Sequence, residues 1–143
     1  MMPTRKSIIV KCQDIDGVRT DFGSEVKMLM HPQFTEMDHD VSVLWVTLPP
    51  GSSTGRHNHP DQDEFEYIVS GQGVLYAGEA EGISVEPFMM VLNPSGLFHN
   101  VVNTGSETMY LLRIHVPSLQ AGSVHGNLIA RCIDTAKNSL KSL

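Results

Sequence analysis

The sequence from Gly51 to Gly71 reads GSSTGRHNHPDQDEFEYIVSG. His57 and His59 lie two residues apart in a segment with the pattern of a strand, so both imidazoles leave the same face. Residues 60–63 then form a turn, and Glu64 opens the next strand, where its carboxylate can point to the face used by the two histidines. The stretch therefore predicts a strand, a turn and a strand that bring two nitrogen donors and one oxygen donor together.

A second stretch, residues 94–103, reads PSGLFHNVVN. The turn around Pro94 and Gly96 delivers His99 to the start of another strand. Three imidazoles and one carboxylate combine borderline nitrogen donors with one hard oxygen, a set that suits a divalent first-row metal. No cysteine lies near these residues in the sequence, which argues against soft-metal and cluster sites.

Both stretches match the motifs of a known family. Residues 51–71 fit G(x)5HxH(x)4E(x)6G at every defined position, and residues 94–103 fit PxGxxHxxxN. The chain resembles a single-domain cupin over roughly residues 40–117. The resemblance implies an all-β fold, the double-stranded β-helix or cupin jelly-roll barrel, with a metal at its centre. It also implies the metal ligands, which are His57, His59, Glu64 and His99.

One position departs from the second motif of the family. The resemblance implies a glycine six residues before Pro94, and the chain has Phe88 there. We expect a local change in the hairpin that leads into this strand, with no ligand lost. The other glycines and prolines of the two motifs are turn positions, which we expect to shape the backbone without taking part in chemistry.

Outside the two motifs, Gly and Pro punctuate short apolar stretches rich in Val, Ile, Leu and aromatic residues, which is a strand pattern. Short strands with no long helix between them favour a closed or sandwiched antiparallel architecture, a barrel or a jelly roll. The predicted strands are 7–12, 26–30, 41–48, 56–59, 64–70, 73–77, 89–92, 98–103 and 109–116.

The end of the chain has a different pattern. From Asn127, a residue suited to an N-cap, apolar residues recur at helical spacing and predict a short amphipathic helix over about 127–141. Its apolar stripe can cover either the outside of the barrel or a second subunit. We therefore predict one domain over 1–143, with a barrel core at about 40–117 and an N-terminal strand arm at 1–39.

Composition excludes several classes of function. The chain has 143 residues, 41% of them apolar, which fits one globular domain. Ten Lys and Arg against sixteen Asp and Glu, a net charge of −6, give no electrostatic footprint for nucleic acid. No apolar run approaches the roughly 20 residues of a membrane span or forms the core of a signal peptide, so we expect a cytoplasmic protein. Cys12 and Cys132 are expected to be reduced thiols.

Two further residues, Glu66 and Arg113, are candidates for the site. Glu66 shares a strand face with Glu64 and is a general acid or base, a partner of a ligand histidine, or turned to solvent by a twist or bulge. Arg113 and His115 share a face of the strand at 109–116, and Arg113 can clamp a substrate carboxylate if that face is interior. We favour the solvent or subunit-contact face for this pair, because the opposite face is wholly apolar. No site role is expected for the remaining histidines, which are His31, His39, His115 and His125.

These residues predict a metal-dependent enzyme with a divalent ion of Fe, Mn, Zn or Ni as cofactor. We expect a small oxygen-bearing or carboxylated substrate, and among the reactions that the resemblance implies we favour a dioxygenase, then a decarboxylase, isomerase or lyase. The alternative is a cupin that binds or senses a small molecule without turnover. The expected partners are a small-molecule substrate and a second copy of the chain, and neither nucleic acid nor membrane. The resemblance implies pairing through sheet faces or through an N-terminal strand, for which Ser7–Cys12 is the candidate.

Overall fold

The computed structural model describes residues 7–36, 38–121 and 126–141. Most of their regular secondary structure is β-strand. The strands are β1 Val18–Arg19, β2 Glu25–Met30, β3 Ser42–Leu48, β4 Asp63–Ser70, β5 Gly73–Ala77, β6 Ile83–Val85, β7 Met90–Asn93, β8 His99–Val102 and β9 Met109–Val116. The helices are α1 Pro32–Thr35 and α2 Gly126–Lys141, and a 3-10 turn spans Cys12–Asp14.

The described strands form two antiparallel sheets. The order in the larger sheet is β1-β2-β3-β9-β4-β7, and the order in the smaller sheet is β6-β5-β8. Strands distant in sequence, such as β3 and β9, are neighbours, as in a jelly roll and unlike a simple meander. The all-β jelly-roll fold expected from the sequence is confirmed, together with a short C-terminal helix.

One hydrophobic core contains side chains from both sheets. Buried and half-buried residues alternate along the whole of β3, because successive side chains of a strand point to opposite faces. Leu44 and Val46 are the buried residues at its centre, and they join one cluster with Leu75 of β5 and Val101 of β8. The inner faces of the two sheets therefore pack on each other.

Helix α2 packs against β1 and β2. The buried residues of its apolar stripe are Ile129, Cys132, Ile133 and Ala136. The Asp16 N–H donates to Ser139 Oγ at 3.1 Å, which ties the helix to the chain before β1. The sequence leaves open whether the apolar stripe covers the outside of the barrel or a second subunit. In the structure it packs on the larger sheet of the same chain. Neither of the described helices is long and apolar enough to cross a membrane.

Two predicted strands differ in the structure. Residues 7–11 pair with no strand in the described ranges and therefore have no regular secondary structure. Ile9 in this segment is 87% exposed. Residues 56–59 form only an isolated bridge, in which His57 pairs with His99. In contrast, β1 and β6 were not predicted from the sequence, since each is too short to show an alternating pattern.

Phe88 occupies the position at which the resemblance implies glycine. Its φ is 74°, in the left-handed region that favours glycine, and its side chain is 86% exposed. The Phe88 N–H donates to the Ile68 carbonyl of β4 at 3.1 Å, so the chain stays paired at this point. Phe88 thus adopts a backbone conformation that favours glycine. His99, which follows β7 in the chain, is still one of the four clustered candidate donors.

Candidate metal centre

Four side chains with metal-binding donors meet inside the barrel. His57, His59, Glu64 and His99 each place one donor atom within 4.8 Å of the others. The backbone explains this meeting, since His57 and His99 exchange two N–H···O bonds of 3.1 and 2.8 Å. Glu64 is the first inward residue of β4 and enters from the opposite side of the turn at 60–63. These four residues could hold a metal ion.

Hydrogen bonds at the Nδ1 atoms orient two of the imidazoles. His57 Nδ1 donates to the Gly55 carbonyl at 2.6 Å, and His99 Nδ1 donates to the Leu97 carbonyl at 3.0 Å. A neutral imidazole that donates from Nδ1 keeps its lone pair on Nε2, the tautomer that metal-binding histidines commonly adopt. His99 Nε2 faces Glu64 Oε2 at 3.0 Å, so the two atoms are close enough to bind one cation together. The donor set therefore fits a metal ion.

The charge states of the site also suit metal binding. Burial lowers the pKa of His57 to about 3, helped by the positive charge of Arg113. Burial likewise lowers the pKa of His59 to about 4. Burial pushes the pKa of Glu64 upward, but Arg113 and the hydrogen bond from His115 together hold it well below its usual range. At neutral pH, His57 and His59 are therefore neutral and the Glu64 carboxyl is ionised, as metal ligands need to be.

Two residues that the sequence reasoning missed hold the Glu64 carboxylate. Asn93 Nδ2 donates to Oε2 at 2.8 Å, and His115 Nε2 donates to Oε1 at 2.9 Å. Asn93 lies directly opposite Glu64 in the pairing of β4 with β7, so a correct strand pairing would have found it. The expectation that His115 has no role is wrong, because this residue is buried in contact with a candidate ligand.

Glu66 and Arg113 form a buried ion pair beside the candidate ligands. Arg113 Nε donates to Glu66 Oε1 at 2.5 Å and lies 3.7 Å from Glu64 Oε1. Glu66 is 0% exposed, so its side chain points to the interior and is not turned to solvent by a twist or bulge. The favoured solvent-facing placement of Arg113 and His115 is wrong, since they are 7% and 1% exposed. In β9 the face that carries Arg113 and His115 points inward together with Met109 and Leu111, and the apolar Leu112 and Ile114 lie on the outside of the sheet.

His31 and His39 are not among the four clustered donors. His31 is buried and caps α1, accepting at Nδ1 from the Gln33 N–H and donating from Nε2 to the Leu119 carbonyl at 2.8 Å. His39 is exposed, and His125 lies outside the described residues. The absence of a site role for His31 and His39 stays a prediction.

A cavity of about 300 Å³ opens beside the candidate ligands. Its volume lies at the lower end of the range for small-molecule sites. The lining residues come from the chain before β2, from β2, β3, β9, the His57 segment and α2: Thr20, Phe22, Ser24, Val26, Leu44, Val46, Thr54, Arg56, His57, His59, Arg113, His115, Leu119, Leu128 and Ile129.

Comparisons with known proteins agree with this arrangement. The family described as "Cupin domain" matches residues 44–115. An oxalate-binding protein from Thermotoga maritima is 33% identical over 92 residues, which cover 63% of this chain and 74% of that protein. A glucose-6-phosphate isomerase from Thermococcus gammatolerans is 28% identical over 149 aligned positions, covering 90% of this chain and 78% of that protein. A solved structure described as a "predicted oxalate decarboxylase" from Thermotoga maritima superimposes with a TM-score of 0.69 at 24% identity, covering 76% of this chain and 97% of that chain.

Proposed function

This chain belongs to the cupin family, and on that premise we propose that it is a metal-dependent enzyme acting on a small oxygen-bearing or carboxylated molecule. One observation carries the proposal, the cluster of four donors within 4.8 Å beside the cavity. The proposed ligands of the divalent ion are His57, His59, Glu64 and His99. Fe, Mn, Zn and Ni all accept three imidazoles and one carboxylate, so the identity of the ion is left to experiment.

The charge of the proposed centre favours an anionic ligand. Three neutral imidazoles and one carboxylate around a divalent ion leave a charge of +1, and the ion pair of Glu66 with Arg113 adds none. Four protein ligands leave up to two positions of a six-coordinate ion for the substrate. A bound ion would supply Lewis-acid or redox chemistry to an oxygen atom of the substrate.

Arg113 is the proposed substrate-binding residue. It lines the cavity, and its Nη2 atom is buried without a hydrogen-bond partner. A guanidinium nitrogen in this state can donate to a ligand carboxylate. Glu66 is not among the residues that line the cavity, and its Oε1 atom accepts a hydrogen bond from Arg113, which is among them. We therefore assign Glu66 to positioning Arg113, and a direct acid or base role for Glu66 becomes the less supported alternative.

Binding without turnover is the second candidate function. It is favoured by the oxalate-binding protein among the relatives, at 33% identity. The ion pair of Glu66 with Arg113 also favours binding without turnover. Glu66 is the buried carboxyl outside the proposed ligand set, and its pairing with a cation makes it less suited to act as an acid or base. In this case the chain would hold a metal and a small carboxylate in the same cavity and release the carboxylate unchanged.

Turnover assays with defined metals separate the two functions. Protein loaded with Fe(II) or Mn(II) is mixed with oxalate and with 2-oxo acids, and oxygen uptake, carbon dioxide release and the products are recorded. Oxygen uptake indicates a dioxygenase, and carbon dioxide without oxygen uptake indicates a decarboxylase. The enzyme proposal expects turnover that is lost in the His99→Ala variant and after EDTA treatment. Ligand binding without any conversion would support the second candidate, and equal conversion by EDTA-treated protein would contradict both.

We also propose that two copies of the chain pair through the outer face of the larger sheet. This face carries apolar side chains on four adjacent strands, with Met90 and Leu92 of β7 exposed at 60% and 53%. Its members, matched by strand register, are Trp45, Phe65, Tyr67, Met90, Leu92, Leu112 and Ile114. Light scattering should return a dimer for the wild type and a smaller species for Leu92→Lys. A monomer of 15.8 kDa in the wild type would contradict the pairing.

A further inference from the structure

The floor of the cavity changes from polar to apolar across the larger sheet. Its polar part is formed by Arg113 and His115 of β9 together with His57 and His59, and both β9 residues contact Glu64 of β4. The next strand, β3, places Leu44 directly opposite Arg113, and beyond it Val46 of β3 faces Val26 of β2. The strand order β4-β9-β3-β2 therefore runs from the candidate metal ligands to a wall of aliphatic side chains.

The rest of the far wall is apolar as well. Phe22, Leu119, Leu128 and Ile129 line it, the last two from α2. The hydroxyl groups on this side already have partners. Thr20 and Ser24 hydrogen-bond each other at 2.6 Å, and Thr54 Oγ1 donates to Asn100 and accepts from the Val101 N–H. These hydroxyls therefore add little polarity to the wall.

The cavity offers no second anion site away from the metal end, as far as the described lining residues show. Of its two arginines, Arg113 lies against Glu64 and Glu66 at the polar wall. Arg56 is half exposed, donates to the Gly78 carbonyl, and lies near Glu79 and over the Phe98 ring. A ligand that carried a second charge at its far end would place it against aliphatic side chains, where burial of an unpaired charge is costly.

We infer that the ligand of this site is amphipathic, a metal-chelating carboxylate head group with one apolar chain or ring. The inference rests on the proposed function and specifies its substrate class. The head group would bind at the metal and Arg113, and the chain would lie against Leu44, Val46, Leu128 and Ile129. The cavity of about 300 Å³ has room for about ten water-sized groups at about 30 Å³ each. Oxalate, small and charged at both ends, would leave the apolar wall uncovered.

A series of acids that share one head group tests the inference on the metal-loaded chain. Mn(II)-loaded protein is titrated by calorimetry with pyruvate, 2-oxobutanoate, 2-oxopentanoate and 2-oxohexanoate, and with oxalate. Each added methylene buried on the apolar wall should lower Kd about threefold to fourfold, as about 0.8 kcal/mol per buried methylene implies. The longest acid should bind more tightly than oxalate. Affinities that stay constant or fall with chain length would overturn the inference.

A matched pair of helix variants locates the effect in the cavity. Leu128 lines the cavity, whereas Leu140 lies half-buried on the same helix and is not among the lining residues. Leu128→Ala should weaken 2-oxohexanoate about fivefold, since about half of a leucine's transfer energy is lost, and should leave pyruvate and Mn(II) affinities unchanged. Leu140→Ala should change none of these affinities. Equal weakening of both acids by Leu128→Ala, or equal effects of the two variants, would overturn the inference.

The outcomes distinguish this inference from the proposed function. Absence of binding for every one of Fe(II), Mn(II), Zn(II) and Ni(II) would contradict the proposed function and the inference together. Mn(II) binding with oxalate tighter than every longer acid would contradict the inference alone and leave the metal-dependent function standing.

Discussion

Replacing Arg113 by methionine should destabilise the protein strongly, because it leaves the Glu66 carboxyl buried without a cation. Arg113 Nε lies 2.5 Å from Glu66 Oε1, and both side chains are buried. Removing one partner of a buried ion pair typically costs about 3–5 kcal/mol. Proton uptake limits this cost, since neutralising a carboxyl of ordinary pKa 4.5 at pH 7 takes about 3.4 kcal/mol at about 1.36 kcal/mol per pH unit. We therefore expect a loss of about 3–4 kcal/mol at pH 7.

The sign of the pH dependence follows from the same carboxyl. In Arg113→Met the folded protein holds Glu66 neutral, so its folded pKa lies above its unfolded value. The stability of such a state is retained below the unfolded pKa and lost as pH rises. The cost of the substitution should therefore shrink by up to about 2.7 kcal/mol between pH 7 and pH 5, two pH units at about 1.36 kcal/mol each. The change is smaller to the extent that burial already raises the pKa of Glu66 in the wild type.

A second substitution should rescue much of the loss. Glu66→Gln removes the buried charge, so Glu66→Gln with Arg113→Met should be more stable than Arg113→Met alone by about 2 kcal/mol or more. Glu66→Gln alone should cost less than Arg113→Met, because Arg113 keeps Glu64 at 3.7 Å as a partner. Urea unfolding of EDTA-treated protein, followed by circular dichroism, measures all four free energies of unfolding. Additive costs in the double variant, or a pH-independent cost of Arg113→Met, would refute the reasoning.

Three further predictions concern separate features. Phe88→Gly should raise the free energy of unfolding by about 1 kcal/mol, because φ is 74° there and a non-glycine residue costs about 1–2 kcal/mol in that region. Phe88→Ala keeps a Cβ and should change the free energy of unfolding little. An Ala variant that is as stabilised as the Gly variant would argue against backbone strain at this position. His115→Phe should weaken metal binding by about 10- to 100-fold, since it removes a hydrogen bond to the proposed ligand Glu64, and unchanged calorimetric affinity would exclude that role. Cys132 is buried and its pKa is raised to about 12, so it should resist iodoacetamide at pH 8 in the native protein and react in urea. Mass spectrometry measures the labelling, and rapid labelling of Cys132 in the native protein would contradict its burial.

The donor cluster could be predicted because its information is local. Two histidines at a spacing of two share a strand face by geometry alone, and the turns before Glu64 and His99 are marked by proline and glycine. A single bridge, between His57 and His99, is enough to bring the two histidine segments together. For this reason, the failure of the predicted strand at 56–59 did not displace the candidate ligands.

The orientation of β9 could not be predicted from the same information. Alternation shows that Arg113 and His115 share a face, but not which face is interior. The usual criterion assigns the apolar face to the core, and here the apolar Leu112 and Ile114 lie on the outside. The polar face points inward because it meets Glu64 and Glu66 of the neighbouring β4, a contact between residues about 50 positions apart in the chain. Only the strand order supplies that contact.

The segment at 7–12 shows the other limit of sequence reasoning. Its β-branched residues predict a strand, but a strand also needs a neighbour to complete its hydrogen bonds. In the single chain, Ile9 is exposed and the segment pairs with no strand in the described ranges. Pairing of Ser7–Cys12 with a second copy stays a prediction.

Metal content tests the central claim most directly. Purified wild-type chain and the His57→Ala and His99→Ala variants are exposed in turn to Fe(II), Mn(II), Zn(II) and Ni(II), desalted, and analysed by inductively coupled plasma mass spectrometry. The proposed centre predicts one ion per wild-type chain for at least one of these metals and a large loss in both variants. A wild-type chain with no stoichiometric metal, or the same metal content in all three proteins, would contradict it.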